Sequence, residues 1–178
     1  AGLRARGVEV PCIHASNSAA ILHQHAAVGN LVRPGLLVYG IEPRGRRARV
    51  RRGEVHLRPA LSFKCRVSLV KLVTAGSRLS YGGTFTATRD LRVAIVTAGY
   101  GDGYLRAASG RARVLVGGRR CRVLGRITMD QMLVDVSRAG AVVAGDEVVL
   151  IGRQGGECIS ASEVASWAGT IPWEVLTA

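Results

Sequence analysis

Six segments rich in β-branched residues, each closed by a turn, constrain this chain more than anything else in it. They are SFKCRVSLVKLV (62–73), LRVAIV (91–96), RARVLVG (111–117), RRCRVLGRITM (119–129), MLVDVS (132–137) and DEVVLIG (146–152). Many alternate apolar and polar residues with the period of two that a half-buried strand needs. The AGSR, GG and AGD stretches near them supply glycines for reversing the chain. Strands at this spacing predict an antiparallel barrel or sandwich, and an antiparallel β-barrel domain is expected over residues 60–178. One late helix is expected from Ser160, with Glu163 completing a capping box and Gly169 as its stop.

Upstream the grammar changes. VEVPCIH (8–14) reads as a short strand, at an edge or in a barrel because Pro11 lacks an N–H. A polar turn then leads into the apolar-rich AAILHQHAAVG, a helix with Asn17 or Ser18 as N-cap and Gly29 as its end. LVRPGLLVYGI follows. Strand, helix and strand in about thirty residues is a parallel α/β unit. The expected division is therefore the end of an α/β domain (1–42), an Arg-rich linker (43–59) and a β-domain (60–178), with a mainly β fold class.

Composition narrows the function classes. No apolar run reaches membrane-span length, and AGLRARGVEV lacks the apolar core of a signal peptide. The missing initiator Met and the end at EVLTA suggest a segment of a longer protein. Cys12, Cys65, Cys121 and Cys158 are scattered, which indicates neither zinc nor a disulfide framework and fits a reducing, cytoplasmic setting. His23 and His25 lie two apart and so face different sides of a helix; no metal site is expected there. The net charge of +13 raises nucleic acid as a partner. However, the seven arginines of residues 43–59 have no aromatic residue among them for stacking, and an exposed linker is the expectation.

Four short stretches carry chemistry. HASNSAA (14–20) places small hydroxyl and amide groups between a strand and a helix start, where free N–H groups favour an anion and Ser18 adds a hydroxyl; an N-cap without a ligand is the bland alternative. In VRPGLL, Arg33 interrupts an apolar run, so it serves structure or faces a ligand, and Gly35 permits close backbone approach. Consecutive phosphate-suited turns resemble the phosphate site built after the last two strands of many α/β barrels. VTAGYGDGYLR (96–106) puts Tyr100 on a glycine-rich turn that needs no aromatic ring. GRITMDQM (125–132) reads only as a strand with a polar bulge.

In order, HASNSAA, NLVRPGLLVYG, SYGGTF, GYGDGY, GRITMDQM, AGDEVVLIG and GTIPWEVLT resemble the C-terminal half of bacterial alanine racemase, nearly end to end. That resemblance implies a pyridoxal 5'-phosphate-dependent isomerase with an N-terminal (β/α)8 barrel and a C-terminal β-domain. Residues 1–42 would be the last strands and helix of an incomplete barrel. The family interconverts L- and D-alanine for cell-wall synthesis through a Schiff base, as a head-to-tail homodimer whose site is shared between subunits.

Residue by residue, Ser18 and the backbone of Gly35 and Leu36 would hold the cofactor phosphate. Arg33 would lie against the pyridine nitrogen, which a guanidinium leaves unprotonated, with His14 either supporting it or merely structural. Tyr100 would be the acid/base that takes the α-proton of L-alanine, opposite a lysine. Met129 would bind the substrate carboxylate through its N–H, with Asp130 fixing the bend; Asp102 and Tyr104 would be scaffold.

Three positions depart from the pattern: Ser16 and Gly101 stand where alanine is usual, and Trp173 where tyrosine is usual, which bears on cofactor affinity or substrate width. Lys64 and Lys71, the only lysines, sit in a β-domain strand, so the Schiff-base lysine is not among these residues and they alone are expected to be inactive. The alternatives are a serine or broad-specificity amino-acid racemase, and a basic β-barrel module that binds nucleic acid through residues 44–58.

Overall fold

A computed structural model describes residues 2–22, 29–43 and 56–178. The chain divides into two compact units, Ala1–Ala60 and Leu61–Ala178.

In the first unit, β1 (His14–Asn17) is followed by α1 (Ser18–Leu22), then by β2 (Leu31–Arg33). β1 and β2 pair in parallel, His14 opposite Leu31 and Asn17 opposite Arg33. The strand begins later than its apolar run suggests, because Pro11 offers no N–H to a ladder and Asn30 takes the ladder's place. The Asn30 side chain accepts from the Ile13 N–H at 2.9 Å and donates to the Pro11 carbonyl at 2.8 Å. Asn17 caps the helix, its Oδ1 accepting from the Ala20 N–H at 3.0 Å. After Pro34 the expected second strand gives way to a 3-10 turn, Gly35–Leu37. His23, His25 and most of the Arg-rich segment lie outside the described residues.

The second unit contains β3 (Phe63–Val73), β4 (Arg78–Leu79), β5 (Phe85–Thr86), β6 (Leu91–Val96), β7 (Arg113–Val116), β8 (Arg119–Leu124), β9 (Met132–Asp135), β10 (Glu147–Gln154) and β11 (Glu157–Ile159). Two helices close it, α2 (Ala161–Ala168) and α3 (Pro172–Thr177). Seven strands form one antiparallel sheet in the order β11-β10-β3-β6-β9-β8-β7, while β4 and β5 pair separately.

The expected β-barrel domain and mainly β class are corrected by this arrangement, which is a mixed α/β fold with a large antiparallel sheet. The pairing does return on itself, but only through Val148 opposite Val116 and Val149 opposite Leu115. β11 adds to β10 outside that ring. Bulges interrupt β3 between Val67 and Leu69, and β10 between Val149 and Ile151. The parallel β1–β2 pair and three helices complete the mixture.

Burial explains why alternation fades in the central strands. Val148, Val149 and Leu150 are consecutive and all fully buried, so both faces of β10 are covered. A satellite cluster of Val73, Leu79, Ala87, Leu91, Val93 and Leu124, with Phe85 and Leu133 against it, accounts for apolar residues on a second face. α2 follows the local signals: Ser160 Oγ accepts from the Glu163 N–H at 3.2 Å, Glu163 accepts from the Ser160 N–H at 3.1 Å, and Gly169 ends the helix at φ +74°.

Candidate functional site

The first unit builds a small anion cradle. Ser18 is buried at the start of α1, its hydroxyl donating to the Pro34 carbonyl. A β-carbon on Gly35, whose φ is +36°, would lie 3.4 Å from Ser18 Oγ, so hydroxyl and turn are neighbours. Among the described residues, the N–H groups of Gly35 and Leu36 have no acceptor, since the turn's bonds begin with Leu37 donating to Pro34 at 2.8 Å. One hydroxyl and two free amides beside each other suit a phosphate monoester. Arg33 is exposed and donates to the Ala15 carbonyl at 3.3 Å. No hydrogen bond joins it to His14 among the described residues.

The second unit brings three of the sequence motifs to one place. Gly99 and the 3-10 turn Tyr100–Asp102 pack against residues 128–129: the Tyr100 backbone N–H donates to the Thr128 carbonyl at 2.9 Å and that of Gly101 to the Met129 carbonyl at 2.8 Å. On the other flank, Ser80 Oγ accepts from the Arg126 N–H at 2.8 Å and donates to the Arg126 carbonyl at 3.1 Å. Residues 125–131 are thus clamped between the turn that carries Tyr81 and the turn that carries Tyr100.

Tight contact dictates the glycines. A β-carbon at Gly99 would lie 2.1 Å from the Thr128 carbonyl oxygen, and one at Gly125 would lie 2.5 Å from Ser80 Cβ. Met129 is exposed and its N–H has no acceptor among the described residues. The bend is held by Thr128, whose N–H and hydroxyl both donate to the Gln131 carbonyl at 3.0 and 2.8 Å, rather than by Asp130. Asp102 closes its own turn by accepting from the Gly99 N–H at 3.0 Å.

Tyr81 is the residue that sequence reasoning passed over, although SYGGTF was among the motifs. It is 73% exposed against 45% for Tyr100. Ser80 before it has φ +68°, the one positive φ outside glycine among the described residues. Such strain costs on the order of 1 kcal/mol or more and persists where surrounding contacts enforce it, often at functional sites. The Arg126 guanidinium reaches the same turn, with Nη1 3.6 Å from where a β-carbon on Gly82 would be.

Beneath these loops lies scaffold. Tyr104 is buried, packs edge-on to Phe63 at 6.4 Å between ring centroids, and its hydroxyl has no partner among the described residues; burial, and then Cys65 nearby, push its phenol up. The Cys65 thiol is pushed up to about 12, chiefly by burial and secondarily by the Asp102 carboxylate. Lys64 on β3 pairs with Glu147 at 2.9 Å. Trp173 is exposed on α3, and Ala178, the residue that follows this helix, reaches the GYGDG turn: a β-carbon on Gly103 would lie 3.0 Å from the Ala178 carbonyl oxygen.

Comparison with known proteins decides the family. Residues 60–178 match the alanine racemase C-terminal domain and residues 1–43 the alanine racemase N-terminal domain. The chain belongs to the alanine racemase family. Alanine racemase of Carboxydothermus hydrogenoformans is 46% identical over 98% of this chain and 47% of its own length. That of Symbiobacterium thermophilum is 48% identical over 99% of this chain and 46% of its own length. Among solved structures, alanine racemase from Bacillus anthracis with bound L-Ala-P superposes with a TM-score of 0.87 at 40% identity, covering 98% of this chain and 44% of that one. Alanine racemase from Streptomyces coelicolor gives 0.88 at 36% identity, covering 98% and 45%. The chain therefore spans less than half the length of the alanine racemases it matches.

Proposed function

We propose that these residues form the C-terminal part of a pyridoxal-phosphate-dependent racemase that interconverts L- and D-alanine as a homodimer. The observation that carries this reading is the clamp on residues 125–131, which presents Tyr81, Tyr100 and Met129 together at the surface of one unit. A homodimer is supported by the exposure of those side chains, which a partner surface would cover. Four free thiols, Cys12, Cys65, Cys121 and Cys158, suit a reducing cytoplasm.

Pyridoxal phosphate, when bound, supplies the electron sink that lets an α-proton leave an amino acid. Ser18 Oγ and the amides of Gly35 and Leu36 would hold its phosphate. Arg33 would lie against the ring nitrogen and, because a guanidinium only donates, would leave that nitrogen unprotonated. The Met129 N–H holds the substrate carboxylate and so fixes which way the α-carbon presents its hydrogen.

Racemisation needs a proton removed from one face and returned to the other, which two opposed bases do directly. A phenol oxygen of this loop cluster takes the proton from the α-carbon of the L-enantiomer. Exposure and the strained Ser80 favour Tyr81 for that role; Tyr100, which the resemblance selected, is the second reading, favoured by the two hydrogen bonds that fix its turn on Thr128 and Met129. A lysine serves the other face and comes from outside these residues, so the chain alone has no racemase activity.

The test uses the full-length enzyme. L- and D-alanine have equal free energy, so kcat/KM falls equally in both directions whichever base is lost, and proton exchange is the informative readout. Replacing the true base by phenylalanine should reduce racemisation by about 10²–10⁴-fold. The α-proton of D-alanine should still exchange with deuterated solvent. If Tyr81→Phe does this and Tyr100→Phe costs less than about tenfold, the role is Tyr81's; the reverse assigns Tyr100. Retention of racemisation in both variants refutes a phenol base. A serine or broad-specificity racemase would show itself by turning over serine at a kcat/KM near that for alanine.

A further inference from the structure

Away from the loop cluster, the face of the β7–β8–β9 ribbon carries an unusual concentration of arginine. A cleft of about 740 Å³ is lined there by six arginines and by only two carboxylates, Asp135 and Glu157. Both acids are already engaged. Asp135 pairs with Arg89 at 3.2 Å, and Glu157 with Arg120 at 2.7 Å; Arg120 also reaches Glu163 at 2.8 Å. Arg113, Arg119, Arg122 and Arg138 are left without a carboxylate partner among the described residues.

Their placement is costly for the fold alone. Arg113 on β7 stands directly opposite Arg122 on β8, and like charges in that relation destabilise a sheet. Asp135 on β9 stands opposite Arg122 in turn, but its carboxylate is paired with Arg89. Arg122 makes only a long contact of 3.4 Å to the Gly110 carbonyl and lies 5.9 Å over the Phe85 ring.

We propose that this cleft is a binding site for a small ligand carrying a diphosphate group. Guanidinium groups match phosphate oxygens with paired N–H donors, and a phosphate carries up to about two negative charges at neutral pH. Two linked phosphates therefore balance four free guanidiniums, where one carboxylate does not. The cleft has the volume of a small-molecule site. It offers no free ring on which bases could stack, since Phe85 is half-buried beneath Arg122. That disfavours a nucleic-acid strand. None of the residues assigned to the cofactor or the substrate lines it.

The experiment is a calorimetric titration of the full-length holoenzyme, saturated with pyridoxal phosphate so that its own phosphate site is filled, in about 0.15 M NaCl. Inorganic pyrophosphate and ADP are the two probes. Saturable one-to-one binding is expected, weakened about tenfold or more by the pair Arg113→Gln and Arg122→Gln. It should be unchanged in Arg153→Gln, an exposed arginine on β10 that does not line the cleft. Equal affinity for the probes identifies the diphosphate as the whole determinant; tighter ADP identifies a nucleotide.

Without ligand, the double variant should melt no lower than the parent, because it removes a like-charge pair. Pyrophosphate should raise the parent's Tm but not the variant's. Should the double variant fail to fold, Arg138→Gln, in a turn, carries the same test and should weaken binding several-fold. Absence of saturable heat at millimolar pyrophosphate, or an equal loss in Arg153→Gln, overturns the proposal.

Discussion

The clamp on residues 125–131 makes two neighbouring glycines unequal, and alanine at each measures how much the geometry matters. At Gly99 the backbone is extended, with φ −148° and ψ −160°, so any residue could adopt it and the objection is purely steric. A β-carbon there would lie 2.1 Å from the Thr128 oxygen, 2.3 Å from the Met129 oxygen and 2.5 Å from the Met129 carbonyl carbon. Those are backbone atoms, which no side-chain rotation can move aside. The loop must withdraw, breaking the Tyr100–Thr128 and Gly101–Met129 hydrogen bonds. Overpacking costs about 1–3 kcal/mol and two hydrogen bonds about 1 kcal/mol each, giving roughly 3–5 kcal/mol for Gly99→Ala. That is a large share of a domain's stability.

At Gly101 the nearest atoms are Met129 Cγ and its carbonyl oxygen, both at 3.1 Å. A displacement of a few tenths of an ångström suffices, partly by the flexible side chain. Gly101→Ala should cost about 1 kcal/mol or less and raise the KM for alanine several-fold with little change in kcat, since Met129 moves and the phenols do not. Urea unfolding and steady-state kinetics of the two variants in the full-length enzyme provide the comparison. Equal destabilisation by the two alanines, or a Gly99→Ala variant within about 1 kcal/mol of the parent, would refute the clamp.

Two further outcomes follow from buried and half-buried groups. Burial alone would raise the Glu163 carboxyl, but its hydrogen bonds with Arg120 and with the Ser160 N–H hold it below its ordinary 4.5. The native pKa is the lower one, so its stabilisation is complete above about 4.5 and is lost as pH falls through the native value. Melting curves should show Glu163→Gln less stable than the parent at pH 7, by under about 1 kcal/mol for so exposed a pair, with the gap closing as pH falls below 4.5; a gap that is constant with pH contradicts this origin. Tyr104→Phe removes a buried hydroxyl that has no partner among the described residues while keeping the edge contact to Phe63. It should leave stability unchanged or raise it by about 1 kcal/mol. A loss above 1 kcal/mol would mean that the hydroxyl is satisfied in solution.

What was legible in the sequence was whatever neighbours along the chain decide. The capping box at Ser160 and Glu163, the Asn17 cap, and the bodies of β3, β6, β7, β8, β9 and β10 follow from residues within a few positions of one another and stand where the pattern put them, whereas β4 and β5 left no such signal and the strand expected to run to Met129 stops at Leu124. The antiparallel barrel did not survive, because closure depends on how many rungs join strands far apart in sequence. β10 and β7 share two rungs, while β10 spends its other end on β11. β1 was misplaced for the same reason: Asn30, distant in sequence, supplies the hydrogen bonds that a strand at residues 11–13 would have made. Tyr81 was missed although its motif was recognised, since the strain that marks it is set by Arg126 and Gly125, some 45 residues away. Glycines betray such contacts only after folding. SYGGTF and GRITMDQM each read as a plain turn and a plain strand until Gly125 is seen to exist because Ser80 leaves no room for a side chain. The loop cluster is a property of paired loops, and its test is therefore a coupling: changing Ser80 and changing the 125–131 loop should not be additive.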